Sequence, residues 1–122
     1  MPSAATNNCI LSASTLNGEE VKNAKGEKLG TVKDIMLCTR TNTIQYYVLS
    51  FGGFLGLGNK LFALPPEAVT LNKEEKCFIL NVEKKDLENA EGFDPDQWPN
   101  FADPTFRDKV YSHYGYKYRS AA

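Results

Sequence analysis

The sequence predicts an all-β domain, a small barrel or sandwich, followed by a short helical, aromatic-rich C-terminal extension. Three observations carry this. Short apolar runs recur between about Ser14 and Val82, separated by turn pairs rather than by long helical stretches. The run Thr43 to Phe51 is dominated by β-branched and aromatic residues. Around Lys84 the period changes, and eight of the fourteen aromatic residues lie after Gly92, too many for an undocked linker. The expected organisation is a flexible arm over residues 1–11, a barrel domain over 12–83 and an extension over 84–122 that packs on the barrel or on a partner.

Taken in order, Leu16 to Val21 contains Asn17-Gly18, a tight-turn pair, and residues 23–27 form a second turn. Leu29 to Cys38 reads as a strand anchored by Val32, Ile35 and Leu37. Asp34 breaks its alternation, which predicts a bulge or an aspartate satisfied by backbone groups. Residues 39–42 turn the chain into the strand Thr43 to Phe51. Ile44, Tyr46 and Val48 share one of its faces, and Tyr47, Leu49 and Phe51 share the other. With both faces apolar, cover is expected on both sides.

Gly52 to Asn59 forms a loop with four glycines and the apolar residues Phe54, Leu55 and Leu57. Loops are normally solvated, so these side chains call for a covering surface. Lys60 to Leu64 is the next strand, stopped by Pro65-Pro66. Thr70-Leu71 and Cys77 to Val82 flank a charged turn at residues 72–76. Lys84 to Ala90 reads as one or two helical turns, with Gly92 as their stop. Asp94-Pro95 and Asp103-Pro104 both pair a cap residue with a helix-opening proline. The second opens a helix from Pro104 to about Tyr114, closed by Gly115.

At 122 residues the chain is one domain, able to build a core without disulfides. A net charge of −1 argues against a basic nucleic-acid surface, so nucleic acid is not an expected partner. Cys9, Cys38 and Cys77 are odd in number and make no zinc-type pattern; reduced thiols in a cytoplasmic protein are expected. The start lacks a secretory pattern, and no run reaches the ~18 apolar residues of a membrane span.

Residues Gly26 to Ile35 (GEKLGTVKDI) and Ile44 to Pro65 (IQYYVLSFGGFLGLGNKLFALP) resemble the PRC-barrel proteins, over about Leu11 to Val82. This small β-barrel is shared by the cytoplasmic domain of the photosynthetic reaction-centre H subunit and by a ribosome-maturation factor. Asn89 to Asp94, Trp98-Pro99 and Tyr114 to Tyr116 resemble the tail of stand-alone bacterial members. The sequence departs from the family pattern at Pro66, where an aromatic is usual, and at Asn59, where Asp is usual. The resemblance implies a PRC-type barrel and an assembly module without a shared active site. It also implies two alternatives, an RNA or ribosome-maturation role and recruitment to a photosynthetic or other membrane complex.

No catalytic, cofactor-binding or metal-binding set emerges. Gly53 to Lys60 superficially matches a phosphate loop, but Lys60 stands one place late and a strand follows instead of a helix. Gly56-x-Gly58 is followed by Leu61 and fails as a dinucleotide motif. His113, the one histidine, lacks a nucleophile signature and reads as a packing or surface residue. Cys38 and Cys77 read as small hydrophobes. Asp86, Glu88 and Glu91 read as a solvated helix face, as do Glu74 and Glu75 in their turn.

A non-enzymatic interaction module is therefore expected, self-associating most simply as a dimer and with an unidentified protein partner. Its expected surface is Tyr47, Leu49, Phe51, Phe54, Leu55, Leu57, Trp98, Phe106, Tyr111 and Tyr114. The tail is expected to cover the Tyr47, Leu49 and Phe51 face, in the same chain or a neighbour. Each large side chain so buried contributes ~1.5–3 kcal/mol.

Overall fold

The computed structural model describes residues 10–52, 60–72 and 74–118. Six strands form one curled half-barrel sheet: β1 (Glu20–Lys22), β2 (Lys28–Cys38), β3 (Thr43–Phe51), β4 (Lys60–Leu64), β5 (Val69–Asn72) and β6 (Cys77–Leu80). Their spatial order is β4-β3-β2-β1-β6-β5. Neighbours pair antiparallel, except that β1 runs parallel to β6 and so joins the first and last strands of the domain. Among the described residues, three α-helices, α1 (Ala13–Leu16), α2 (Lys84–Glu88) and α3 (Pro104–His113), and a 3-10 turn at Pro66–Ala68 complete the fold.

β3, β4 and the turn between β2 and β3 fall where the residue pattern puts them. The break at Asp34 is a bulge: Val32 faces Leu49 while Asp34 faces Val48, leaving Lys33 over. Asp34 Oδ1 also accepts from the Ile35 backbone N–H at 2.8 Å. A second shift, between Met36 and Leu37, leaves Gln45 out of register on β3. The turn before β2 is held by Asn23, which is 3% exposed. Its Oδ1 accepts from the N–H groups of Lys25 and Glu27, and its Nδ2 donates to Glu27.

Three local expectations are corrected. Asn17-Gly18 does turn the chain, but it leaves the single helical turn α1 where a strand pattern was expected from Ser14, and β1 is three residues long. α2 ends at Glu88 with Asn89 as its cap, so Gly92 is not a helix stop. A Cβ at Gly92 would sit 2.6 Å from the Leu61 carbonyl oxygen; this glycine lets two backbones meet. Asp94-Pro95 opens a turn, closed by Gln97 N–H to Asp94 O and by Trp98 Nε1 donating to Pro95 O, and not a helix. Asp103-Pro104 does open α3, with Asp103 accepting from Thr105 N–H at 2.9 Å.

The pleat divides the apolar residues into two groups. Tyr47, Leu49 and Phe51 point into the curl with Phe62 and Leu64 of β4, where Val21, Leu29, Phe78, Leu80 and Leu87 meet them. Tyr46 and Ala63 point outward and are covered by Tyr111, with Phe93, Phe101, Phe106 and Tyr118 around them. The tail thus covers the outer face. The expectation that it covers Tyr47, Leu49 and Phe51 is corrected: the curling sheet and α2 enclose that face already. Tyr114 is the exception in the tail, since it packs against the inner group.

Candidate binding surface

The outer face is built around Tyr46, which is 0% exposed. Phe101, Phe106 and Tyr111 ring it at centroid distances of 5.3, 5.9 and 6.0 Å, all tilted or edge-on. Such pairs each contribute ~0.5–1.5 kcal/mol beyond the area they bury. α3 supplies Phe106 and Tyr111 because Asp103 and Pro104 start it beside β3. Tyr111 Oη then donates to the Gln45 carbonyl at 2.9 Å. That carbonyl belongs to the residue left over by the second bulge, so a ladder irregularity becomes an anchor for the tail. At the edge of β4, Phe93 and Leu61 exchange two backbone hydrogen bonds, of 2.9 and 2.8 Å.

Two clefts flank this packing. One, of about 360 Å³, lies between the β2–β3 hairpin and α3. Met36, Leu37, Phe101 and Tyr118 supply its apolar lining, and Arg40, Gln45 and Arg107 its polar lining. The guanidinium of Arg107 lies 4.1 Å from the Tyr118 ring centre, while its Nε donates to Asp108 at 3.1 Å. Burial pushes Tyr46 up to about 12, with Arg107 and the Gln45 side chain partly opposing it, so its hydroxyl stays protonated at neutral pH. The other cleft, of about 530 Å³, lies between α3 and the Ala90–Phe93 segment. Its rim is spanned by the ion pair of Lys109 with Glu91 at 2.9 Å.

Of the residues expected at an interaction surface, Leu49 and Phe51 are core residues, and Tyr47 packs on Phe78 inside the curl. Leu49 and Phe51 are thus buried in the chain's own core, and Tyr47 is half-buried. Phe106, Tyr111 and Tyr114 hold the tail to its own barrel. Trp98 is 37% exposed, its ring 5.9 Å from Phe101. Phe54, Leu55 and Leu57 lie outside the described residues. Leu37, expected as an apolar anchor of its strand, is instead 59% exposed, and residue patterning did not single out the polar set Arg40, Gln45 and Arg107. The one available signal was the hydroxyl of Tyr46 on an otherwise apolar strand face. His113 meets the Tyr114 ring edge-on, with ring centres 4.8 Å apart. Among the described residues no group of three His, Cys, Asp or Glu side chains could hold a metal, and no helix is long and apolar enough to cross a membrane.

The curled sheet with its parallel β1–β6 closure agrees with a family comparison in which the PRC-barrel domain model matches residues 10–87, more than half of the chain. The chain belongs to the PRC-barrel family. A solved structure to which the chain is similar is that of a Pseudomonas aeruginosa protein named as the 16S ribosomal RNA processing protein RimM. It is 13% identical, with a TM-score of 0.42, and the match covers 70% of this chain. This PRC-barrel chain spans 50% of that structure's length. A comparison with curated proteins finds no match.

Proposed function

We propose that this PRC-barrel protein is a non-catalytic binding and assembly module that holds a protein partner, in the first instance a second copy of itself. The observation that carries the reading is an apolar strip left at the surface once both sheet faces are filled. Leu37 and Phe101 line one cleft, and Trp98 continues from Phe101. Exposed apolar side chains that are contiguous mark interaction surfaces more often than scattered ones do. The family's barrel, shared by otherwise unrelated assemblies, supports the same class of role.

Sedimentation velocity over a range of concentrations tests it on the wild type, on Leu37→Ser with Trp98→Ala, and on Phe54→Ser with Leu57→Ser. A concentration-dependent dimer is expected, weakened about tenfold or more in one double variant, which then marks the interface. A monomer at every concentration overturns self-association. Binding to ribosomal particles that weakens with salt would instead support the RNA-associated role.

A further inference from the structure

The cleft between the β2–β3 hairpin and α3 combines three properties that packing alone does not require. The first is an orphaned donor. Tyr46 Oη is sealed from solvent and has no hydrogen-bond partner. Arg107 and Tyr118, which act on it electrostatically, and Gln45, whose side chain favours its ionised form, all line the cleft. A buried hydroxyl left unpaired is costly, and phenylalanine would fill the same space without that cost. The second property is charge. Arg40 and Arg107 both line the cleft and no carboxylate does; Asp108 pairs only with the Arg107 Nε, which leaves the terminal nitrogens as donors. The third is preorganisation: the stack on Tyr118 holds the Arg107 plane in place before any ligand arrives.

We propose that this cleft is a binding pocket for a single carboxylate carried on a small apolar body. Arg107 and Arg40 supply the charge, Gln45 and the Tyr46 hydroxyl supply neutral donors, and Met36 and Phe101 form the apolar walls. Two arginines less one aspartate leave one net positive charge, which matches a monoanion and not a polyphosphate. A volume of about 360 Å³ suits a ring or short chain rather than a nucleotide. The carboxylate belongs either to a free acid or to the C-terminus of a peptide, and the two sources share this chemistry. The inference rests on the binding-module reading and names the ligand chemistry of one part of that surface.

The test is a titration of the isotope-labelled full chain, followed by its backbone amide signals. Phenylacetate is compared with phenylacetamide, and an N-acetylated peptide ending in a free Phe carboxylate with its C-terminal amide. Carboxylates are expected to shift the signals of Met36 to Arg40 and Ala102 to Arg107, with Kd on the order of 1 mM for the fragment; the neutral forms are not. Tyr46→Phe is expected to fold with an unchanged or higher Tm and to bind about tenfold more weakly, as is Arg107→Gln. Response to phenylacetate alone assigns a free acid, response to the peptide alone assigns a peptide terminus, and response to both assigns a pocket open to either. Equal binding of acid and amide, no shift in either arm, or unaltered affinity in both variants overturns the proposal. Because Leu37 and Phe101 also belong to the proposed dimer surface, the titration is repeated on Trp98→Ala, a residue outside the cleft, so that failure of the pocket and failure of self-association are read separately.

Discussion

Tyr46 carries a hydroxyl that is sealed from solvent without a hydrogen-bond partner, whereas Tyr111, one ring away, donates its own to the Gln45 carbonyl. The two tyrosines should therefore respond in opposite ways to loss of the oxygen. Tyr46→Phe is expected to leave stability unchanged or to raise it by up to ~1 kcal/mol, and Tyr111→Phe to lower it by ~1 kcal/mol, both read from urea unfolding. Burial also holds Tyr47, Tyr111 and Tyr114 above the ordinary tyrosine range, alongside Tyr46 at about 12. Unfolded tyrosines ionise near ~10, so above that pH the folded chain retains protons that the unfolded chain releases. Their contribution is full below pH ~10 and is lost as pH rises through 10 towards 12 and beyond. A urea midpoint that is flat across neutral pH and falls steeply above ~10 is expected, less steeply in Tyr114→Phe. The two described cysteines also differ. The Thr41 hydroxyl, with the Thr41 and Arg40 backbone and the Arg40 charge, holds the Cys38 thiol below its ordinary value, while Cys77 is 1% exposed. Iodoacetamide should label Cys38 well before Cys77, with mass spectrometry counting the adducts.

At the scale of elements, the tail depends on a few fixed points. Asp103→Ala removes the cap of α3 and is expected to cost about 1 kcal/mol. Gly92→Ala pushes a methyl group against the Leu61 carbonyl and is expected to cost ~1–3 kcal/mol, measurable as a lower urea midpoint. Much of the strand layout was legible in the residues. β3 is bounded by a turn and a glycine, β4 ends at two prolines, and Asp34 interrupts its strand as a bulge residue does. The helix at Pro104 was legible for the same reason, since its cap is local chemistry. What the residues did not disclose was orientation. Tyr46 and Tyr47 both sit on apolar faces, and only the direction of curl decides which becomes core. Gly92 and Asp94-Pro95 misled because a glycine and an Asp-Pro pair each serve several backbone geometries, and tertiary contacts chose among them. Gln45 became an anchor only through a register shift that no composition pattern carries.

For the molecule as a whole, barrel and tail form one folding problem. A chain ending at Gly92 would bare Tyr46 and Ala63 and strip the partner from β4; it is expected to bind hydrophobic dye and aggregate where the full chain does not. The paired hydrogen bonds between Phe93 and Leu61 have a further consequence for symmetry. They occupy the outer edge of β4, while the outer edge of β5 has no backbone partner among the described residues. A sheet with two bare edges can polymerise without end, each copy adding to the last. With β4 blocked at Leu61, any pairing through the sheet would have to use β5 on both copies, across a twofold axis, and would end at two. Two backbone hydrogen bonds from the tail thus shield β4 at Leu61 from strand addition, within the subunit itself.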